Sequence, residues 1–242
     1  MVISPPQELG KGFADATLSY HIFFMNIQVL YEDNHVIAVF KPAGVLSQGD
    51  NTGDPSMIDQ VKKYLKEKYH KPGNVFVGLV HRLDRPVSGI MLFAKTSKGA
   101  SRLSEQFRGR QVEKTYHAIV LGVPDKNRGV LTNFLAKDKK TLKAREFSDG
   151  KEANLRYEVA LSRGGYSLLK ITIDAGKFHQ IRSQLSLAGF PILGDLKYGA
   201  PASLPDNSVA LCATFLSFYA ATGGKKVNVS IEIPKDWERY VR

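Results

Sequence analysis

The run VFVGLVHRLDRPVSGIMLFAKT at 75–96 is apolar and β-branched at both ends and is broken at its middle by His81-Arg82-Leu83-Asp84-Arg85. Four charged or ionisable side chains fall within five positions, and a proline and a glycine follow. Charge placed against apolar strands is costly unless it is paired or solvated. The fold must therefore either turn this segment out to the surface or gather its charges into a site.

The rest of the chain supplies strands in pairs rather than in regular βαβ alternation. Ile27–Glu32 and His35–Lys41 read as strands around an Asp33-Asn34 turn. Asn74–Val80, Gly89–Ala94, Lys114–Leu121, Ala153–Leu161, Tyr166–Asp174, Ala210–Tyr219 and Lys226–Ile233 read the same way. Arg163-Gly164-Gly165 joins one hairpin. Helical spacing appears at Ser56–Tyr69, with Ile58, Val61 and Leu65 on one face and lysines on the other. It recurs from a Thr96 or Ser97 cap to about Gln106, with Leu103 and Phe107 inward, and over Lys177–Ala188, ended by Gly189 and Pro191. Residues 125–150 are basic and poor in aliphatics and read as a projecting hairpin or loop. The pattern predicts an α+β fold: a mixed, mainly antiparallel sheet with flanking helices. Residues 1–26 read as an irregular lead-in, too short for a further domain, and 27–242 as one domain.

Lysine and arginine outnumber aspartate and glutamate by 34 to 23 in 242 residues, and the sequence pI is about 9.6. A basic domain of this kind suits a polyanionic partner, most often nucleic acid. The single cysteine, Cys212, allows no disulfide within the chain and suits a reducing compartment. HIFFM at 21–25 is too brief to span a bilayer, so a cytoplasmic protein without a membrane partner is expected, with a monomer as the default. The six histidines show no HxxxH or HxH spacing, so no metal is expected. Neither a GxxxxGK[ST] nor a GxGxxG motif occurs, and the chemistry must proceed with side chains alone.

Three segments carry candidate chemistry. Asp84 lies between Arg82 and Arg85, whose charges are expected to keep a partly buried carboxylate ionised; it is then a nucleophile, a base, or an ion-paired residue in a turn. In GKFHQIR at 176–182, Lys177, His179, Gln180 and Arg182 cluster where a helix begins, a place suited to phosphate or carboxylate, or else a decorated helix end. Tyr116, in KTYHAIV, faces away from Thr115 and His117 on a strand; it is a core residue or a platform for a base.

Taken together, KPAG at 41–44, HRLDRPVSG at 81–89, KTYHAIVLG at 114–122 and GKFHQIRSQLSLAGFPILGDLKYG at 176–199 resemble the RluA-type RNA pseudouridine synthases, block for block and in order. The resemblance implies the pseudouridine synthase fold with a central RNA-binding cleft. It implies isomerisation of specific uridines in a structured RNA, tRNA or ribosomal RNA, by base flipping and without cofactor or metal. Asp84 then matches the catalytic aspartate, Tyr116 the tyrosine stacked on the flipped uracil, and Arg182 the basic partner of the aspartate. Arg82 matches the arginine that helps fill the gap left by the base, and Leu211 a leucine packed against it; Lys177, His179 and Gln180 are expected to meet RNA. The chain departs from the pattern at Val87, where Thr is usual, at Lys177 for Arg, and at Cys212 for His. A non-catalytic RNA-binding protein on the same fold and a metal-dependent RNA hydrolase are the competing classes.

Overall fold

A computed structural model describes residues 27–242; the lead-in expected at 1–26 lies outside the described residues. The first hairpin pairs β1 (Val29–Glu32) with β2 (Val36–Lys41). Its turn closes on Asp33, whose Oδ1 accepts from the amides of His35 and Val36 at 2.7 and 2.8 Å, the local bond that makes aspartate a turn residue. Helix α1 (Met57–Lys68) follows, capped at Ser56 by a reciprocal bond with Asp59. After a two-residue strand β3 (Gly78–Leu79) comes β4 (Ser88–Ala94), then α2 (Ser97–Arg108) capped by Thr96. The remaining elements are β5 (Glu113–Leu121), β6 (Arg128–Asp138), β7 (Lys143–Glu146), β8 (Lys151–Arg163), β9 (Tyr166–Ile173), α3 (Gln180–Leu187), β10 (Leu211–Tyr219), β11 (Lys226–Ser230) and a short α4 (Glu238–Val241).

All the strands of the described residues join one sheet in the order β1-β2-β4-β10-β5-β9-β8-β6-β7, with β3 on β4 and β11 on β10. Within it only β4 and β10 run parallel, so the sheet is mixed and mainly antiparallel, as the strand pairs predict. Period-two alternation sends Ile37, Val39, Met91 and Phe93 to one face, where α1 and α3 add Val61, Leu65, Ile181 and Leu185. Val36, Ala38, Ile90 and Leu92 point to the other face, where α2 adds Leu103. Strands β2 and β4 are thus covered on both sides, which explains why both read as unbroken apolar runs. Among the described residues no helix is long and apolar enough to cross a membrane.

The parallel pair sets the position of the HRLD segment. Ser88 and Gly89 lie opposite Cys212 and Ala213, and Ala213 in turn pairs with Tyr116 on β5. Gly89 has φ +127°, and a Cβ there would sit 2.4 Å from the Ala213 backbone. Only glycine permits that approach, and it brings the chain leaving Asp84 to the strand beside Tyr116.

Three sequence expectations need correction. Asn74–Val80 contributes only Gly78–Leu79 as strand. The 125–150 segment does not simply project: β6 pairs with β8 from Arg128↔Glu158 to Leu135↔Lys151, and only its far part turns back as β7. The aliphatics are sparse because one face of β6 is covered while Val130 and Phe134 on the other are exposed. The third helix starts at Gln180 rather than Lys177. His179 is left-handed, at φ 48°, and its ring stacks on Phe178 at 3.8 Å; neighbours i and i+1 on a helix cannot face each other in that way.

Candidate active site

Asp84 stands in a turn, its carbonyl accepting from Val87 N at 3.0 Å. The turn is held along its backbone from outside. Ser47 Oγ donates to Leu83 O at 2.6 Å and accepts from Leu83 N at 3.1 Å. Gly44 N donates to Arg85 O, and Val209 N to Pro86 O. Lys41, wholly buried, sends its ammonium to the carbonyls of Pro42, Arg85 and Val87 at 3.0, 3.1 and 2.6 Å. Three donors meet three acceptors, the full capacity of a lysine. Burial pushes Lys41 down to about 7, opposed by the Asp84 charge and reinforced by Arg85. The KPAG segment is therefore the clamp that fixes the aspartate loop.

The charge that meets Asp84 comes not from its neighbours in sequence, as the local reading expects, but from the residue that the family resemblance implies. Arg85 turns away to Asp54 Oδ2 at 2.7 Å and to Gly44 O, and Arg82 is exposed on the cavity wall. The partner is Arg182 from α3, whose Nη1 donates to Asp84 Oδ2 at 3.0 Å. The same guanidinium binds Asp195 in a fork, Nε to Oδ2 at 2.7 Å and Nη2 to Oδ1 at 2.8 Å. Arg182 and Asp195 are 5% and 1% exposed, Asp84 26%. Burial works against the Arg182 charge, and the hydrogen bonds and charge of Asp195, then those of Asp84, outweigh it, so its pKa is raised. A planar fork anchored on one carboxylate presents its remaining N–H in a fixed direction. Asp195 lies inside the GDLKYG stretch, but nothing in its spacing marks it as Arg182's anchor.

His179 faces Asp84 from the other side, Nε2 to Oδ2 at 3.6 Å. Its Nδ1 lies 2.8 Å from the Tyr198 hydroxyl, which already accepts from Ala144 N at 2.7 Å. With that hydroxyl donating to Nδ1, the proton of the neutral ring sits on Nε2, toward the carboxylate. Burial pushes His179 down to about 4, with Asp84 opposing and Arg182 adding. His81 is pushed to about 3 by burial and then by Lys114; its ring stacks on Phe107 and its Nε2 accepts from Leu92 N, so this histidine braces the loop.

Both shifts fall below the ordinary histidine value, so the unfolded chain takes up protons first as pH drops. The stability that the neutral rings contribute is complete above about pH 6.5 and is lost as pH falls, through about 4 for His179 and about 3 for His81. Thermal melts are expected to shift downward between pH 6.5 and 4.5, and His179→Gln is expected to remove part of that slope. A melting temperature that is flat over this window would contradict the assignment.

Tyr116, Asp84, Arg82 and Lys177 line a cavity of about 620 Å³. Arg82 and Asp84 also border an adjoining space of about 370 Å³ that reaches His179, Arg182 and Lys197. Between them lies a smaller hollow whose walls include Tyr116 and the buried Leu211. Tyr116 is 8% exposed; burial, then the Asp84 charge, raises its pKa and keeps the phenol protonated. The structure thus brings Asp84, Tyr116, Arg182, Arg82, Lys177, His179 and Leu211 to one place. Gln180 lines the smaller hollow too, but its amide is spent inside the protein on Lys177 N, Asn154 O and Gln184 Oε1. Lys41, Asp195 and Tyr198 are the site residues that sequence reasoning missed. A buried lysine inside an otherwise apolar strand was the one available signal for the first.

A sequence model of the family described as RNA pseudouridylate synthase matches residues 35–187. The ribosomal large subunit pseudouridine synthase C of Rickettsia bellii is 33% identical over 242 residues, covering 98% of this chain and 78% of that protein. The protein of the same name from Rickettsia prowazekii is 34% identical over 234 residues, covering 95% and 75%. Among solved structures, human RNA pseudouridylate synthase domain containing 4 superposes with a TM-score of 0.73 at 24% identity, over 94% of this chain and 95% of that one, which is a likeness of fold.

Proposed function

This chain belongs to the RNA pseudouridylate synthase family, whose members are isomerases, and from that premise we propose that Asp84 is its catalytic carboxylate, acting on a uridine flipped out of RNA. The observation that carries the reading is the state of that carboxylate. Oδ2 is pinned by the buried Arg182, while Oδ1 has no hydrogen-bond partner among the described residues and Asp84 opens on the cavity that Tyr116 lines. One oxygen orients the group and the other meets the substrate.

The reaction breaks the bond from N1 of uracil to C1′ of ribose and joins C5 to C1′. The C5 proton leaves and N1 gains one, so no atom is added or lost overall. Asp84 serves it either by attacking C1′ or by taking the C2′ proton, and each route uses the same free oxygen. Extruding the base costs a few kcal/mol, and stacking on an aromatic ring returns roughly 1–3 kcal/mol; Tyr116 supplies that ring, with Leu211 packing beside it. Arg82 and Lys177 meet the RNA from the cavity wall, and Gln180 holds the turn that carries Lys177 and His179. Because the Rickettsia relatives are named for the ribosomal large subunit, we assign large-subunit ribosomal RNA as the first substrate to test, ahead of tRNA.

The test is tritium release from a large-subunit ribosomal RNA transcript labelled at uridine C5. The native chain is expected to release label, and Tyr116→Ala to lower turnover by about 5- to 150-fold, the equivalent of 1–3 kcal/mol of stacking, with RNA affinity nearly unchanged. Equal losses of affinity and turnover would reduce Tyr116 to a packing residue; no release by the native chain on either RNA would sink the reading.

A further inference from the structure

The main cavity has a second basic wall. Arg108 ends α2, Arg110 follows it by two residues and Lys114 begins β5, and all three line the cavity shared with Asp84 and Tyr116. Lys114 and Tyr116 are two apart on one strand and so face the same way. None of the three cations forms an ion pair with a carboxylate among the described residues. Lys114 is half-buried, with Nζ 5.9 Å from the Phe107 ring; burial lowers its pKa, with Asp174 opposing.

The turn between them places Arg110 at the end of α2. Arg110 N donates to Phe107 O and Gln111 N to Gln106 O, the bond pair that ends many helices with a left-handed residue, normally glycine. Here Gly109 takes an ordinary φ of −76° and Arg110 takes the left-handed position at φ 57°. The same bond pair ends α1 with His70 at φ 47°, so the conformation serves the helix end; what sets Arg110 apart is that its exposed side chain lines the cavity.

We propose that Arg108, Arg110 and Lys114 form a phosphate-binding bank that holds the RNA backbone of nucleotides next to the flipped uridine, opposite Arg82 and Lys177. The proposal rests on the reading of the cavity as the site where a uridine in RNA reacts. Cations spaced along a groove follow a phosphate chain without reading sequence, so this bank fixes the register of the strand while Tyr116 and Asp84 engage base and sugar.

The experiment compares the native chain with Arg110→Gly, Lys114→Gln and Arg163→Gln. Arg163 is an exposed cation in the β8–β9 turn, at the far end of β9 from the cavity. Binding to oligouridylate is measured against potassium chloride, and turnover by tritium release from the ribosomal RNA transcript. Arg110→Gly and Lys114→Gln are each expected to flatten the log–log salt slope by about one and to weaken binding about fivefold to tenfold. Turnover at subsaturating RNA should fall in step with the affinity. Arg110→Gly is expected to melt no lower than the native chain, since glycine relieves the left-handed strain. Arg163→Gln should leave the slope unchanged. If the native chain converts uridine while both bank variants keep its slope and affinity, the bank is overturned and the active site stands. If the native chain neither releases tritium nor binds in a salt-dependent way, the active-site reading falls and the bank with it.

Discussion

Asp84→Asn is expected to abolish pseudouridine formation, by about 10⁴-fold or more, while leaving the fold intact. Asparagine keeps the size of the side chain and can still accept from Arg182 Nη1, but it offers neither a nucleophilic oxygen nor a base. The structural cost is small because Arg182 retains both bonds to Asp195 and Asp84 is partly open to solvent. The melting temperature is therefore expected to move by the equivalent of about 1 kcal/mol or less. Tritium release and a thermal melt on the same preparation check the two halves of this expectation. Retained turnover would remove Asp84 from the chemistry, whereas a collapsed fold would make it a structural ion pair.

Asp195→Ala is expected to have the opposite profile, with stability lost first. It takes away both bonds of the fork and leaves a buried guanidinium with Asp84 alone. Removing one member of a buried pair costs about 3–5 kcal/mol, because the remaining charge has little water to turn to. For a domain of this size that lowers the melting temperature by roughly 6–20 °C. Below the melt, turnover is expected to fall about 100-fold, since an arginine no longer anchored behind lets the carboxylate drift from its reacting position. A melt within about 2 °C of the native chain would show that Arg182 does not depend on Asp195. The contrast between the two aspartates, one proposed for the chemistry and one holding the arginine, matches their exposures of 26% and 1%.

How much of this was legible in the sequence depended on what kind of signal each residue carries. β2 and β4 read correctly because alternation and apolar runs are local, and so did the first hairpin, whose turn is closed by Asp33 itself. Asp84, Tyr116 and Arg182 stood out through their motifs, and the structure brings them to one cavity. The identity of Asp84's partner was another matter. Arg82 and Arg85 are its neighbours in sequence, yet the turn directs one to the cavity wall and the other to Asp54. The partner that reaches it is 98 residues away; no local pattern spans that distance, and only the family resemblance paired Arg182 with Asp84. Asp195 was silent for the same reason, being an anchor seen only once α3 is packed. The false start of α3 has a different origin. Helical spacing from Lys177 onward is real, but His179 takes a left-handed conformation in which its ring meets both Tyr198 and Asp84, and site geometry overrides propensity there. Arg110 was passed over because an arginine beside a glycine looks like solvated surface until the cavity it lines is seen.

The most direct test of the central claim compares total RNA from cells with and without this chain by carbodiimide mapping of pseudouridine, with the native chain and Asp84→Asn supplied back separately. The account predicts that one or a few sites vanish without the chain, return with the native form, and stay absent with Asp84→Asn. Sites that persist without the chain, or that Asp84→Asn restores as well as the native form does, would contradict it.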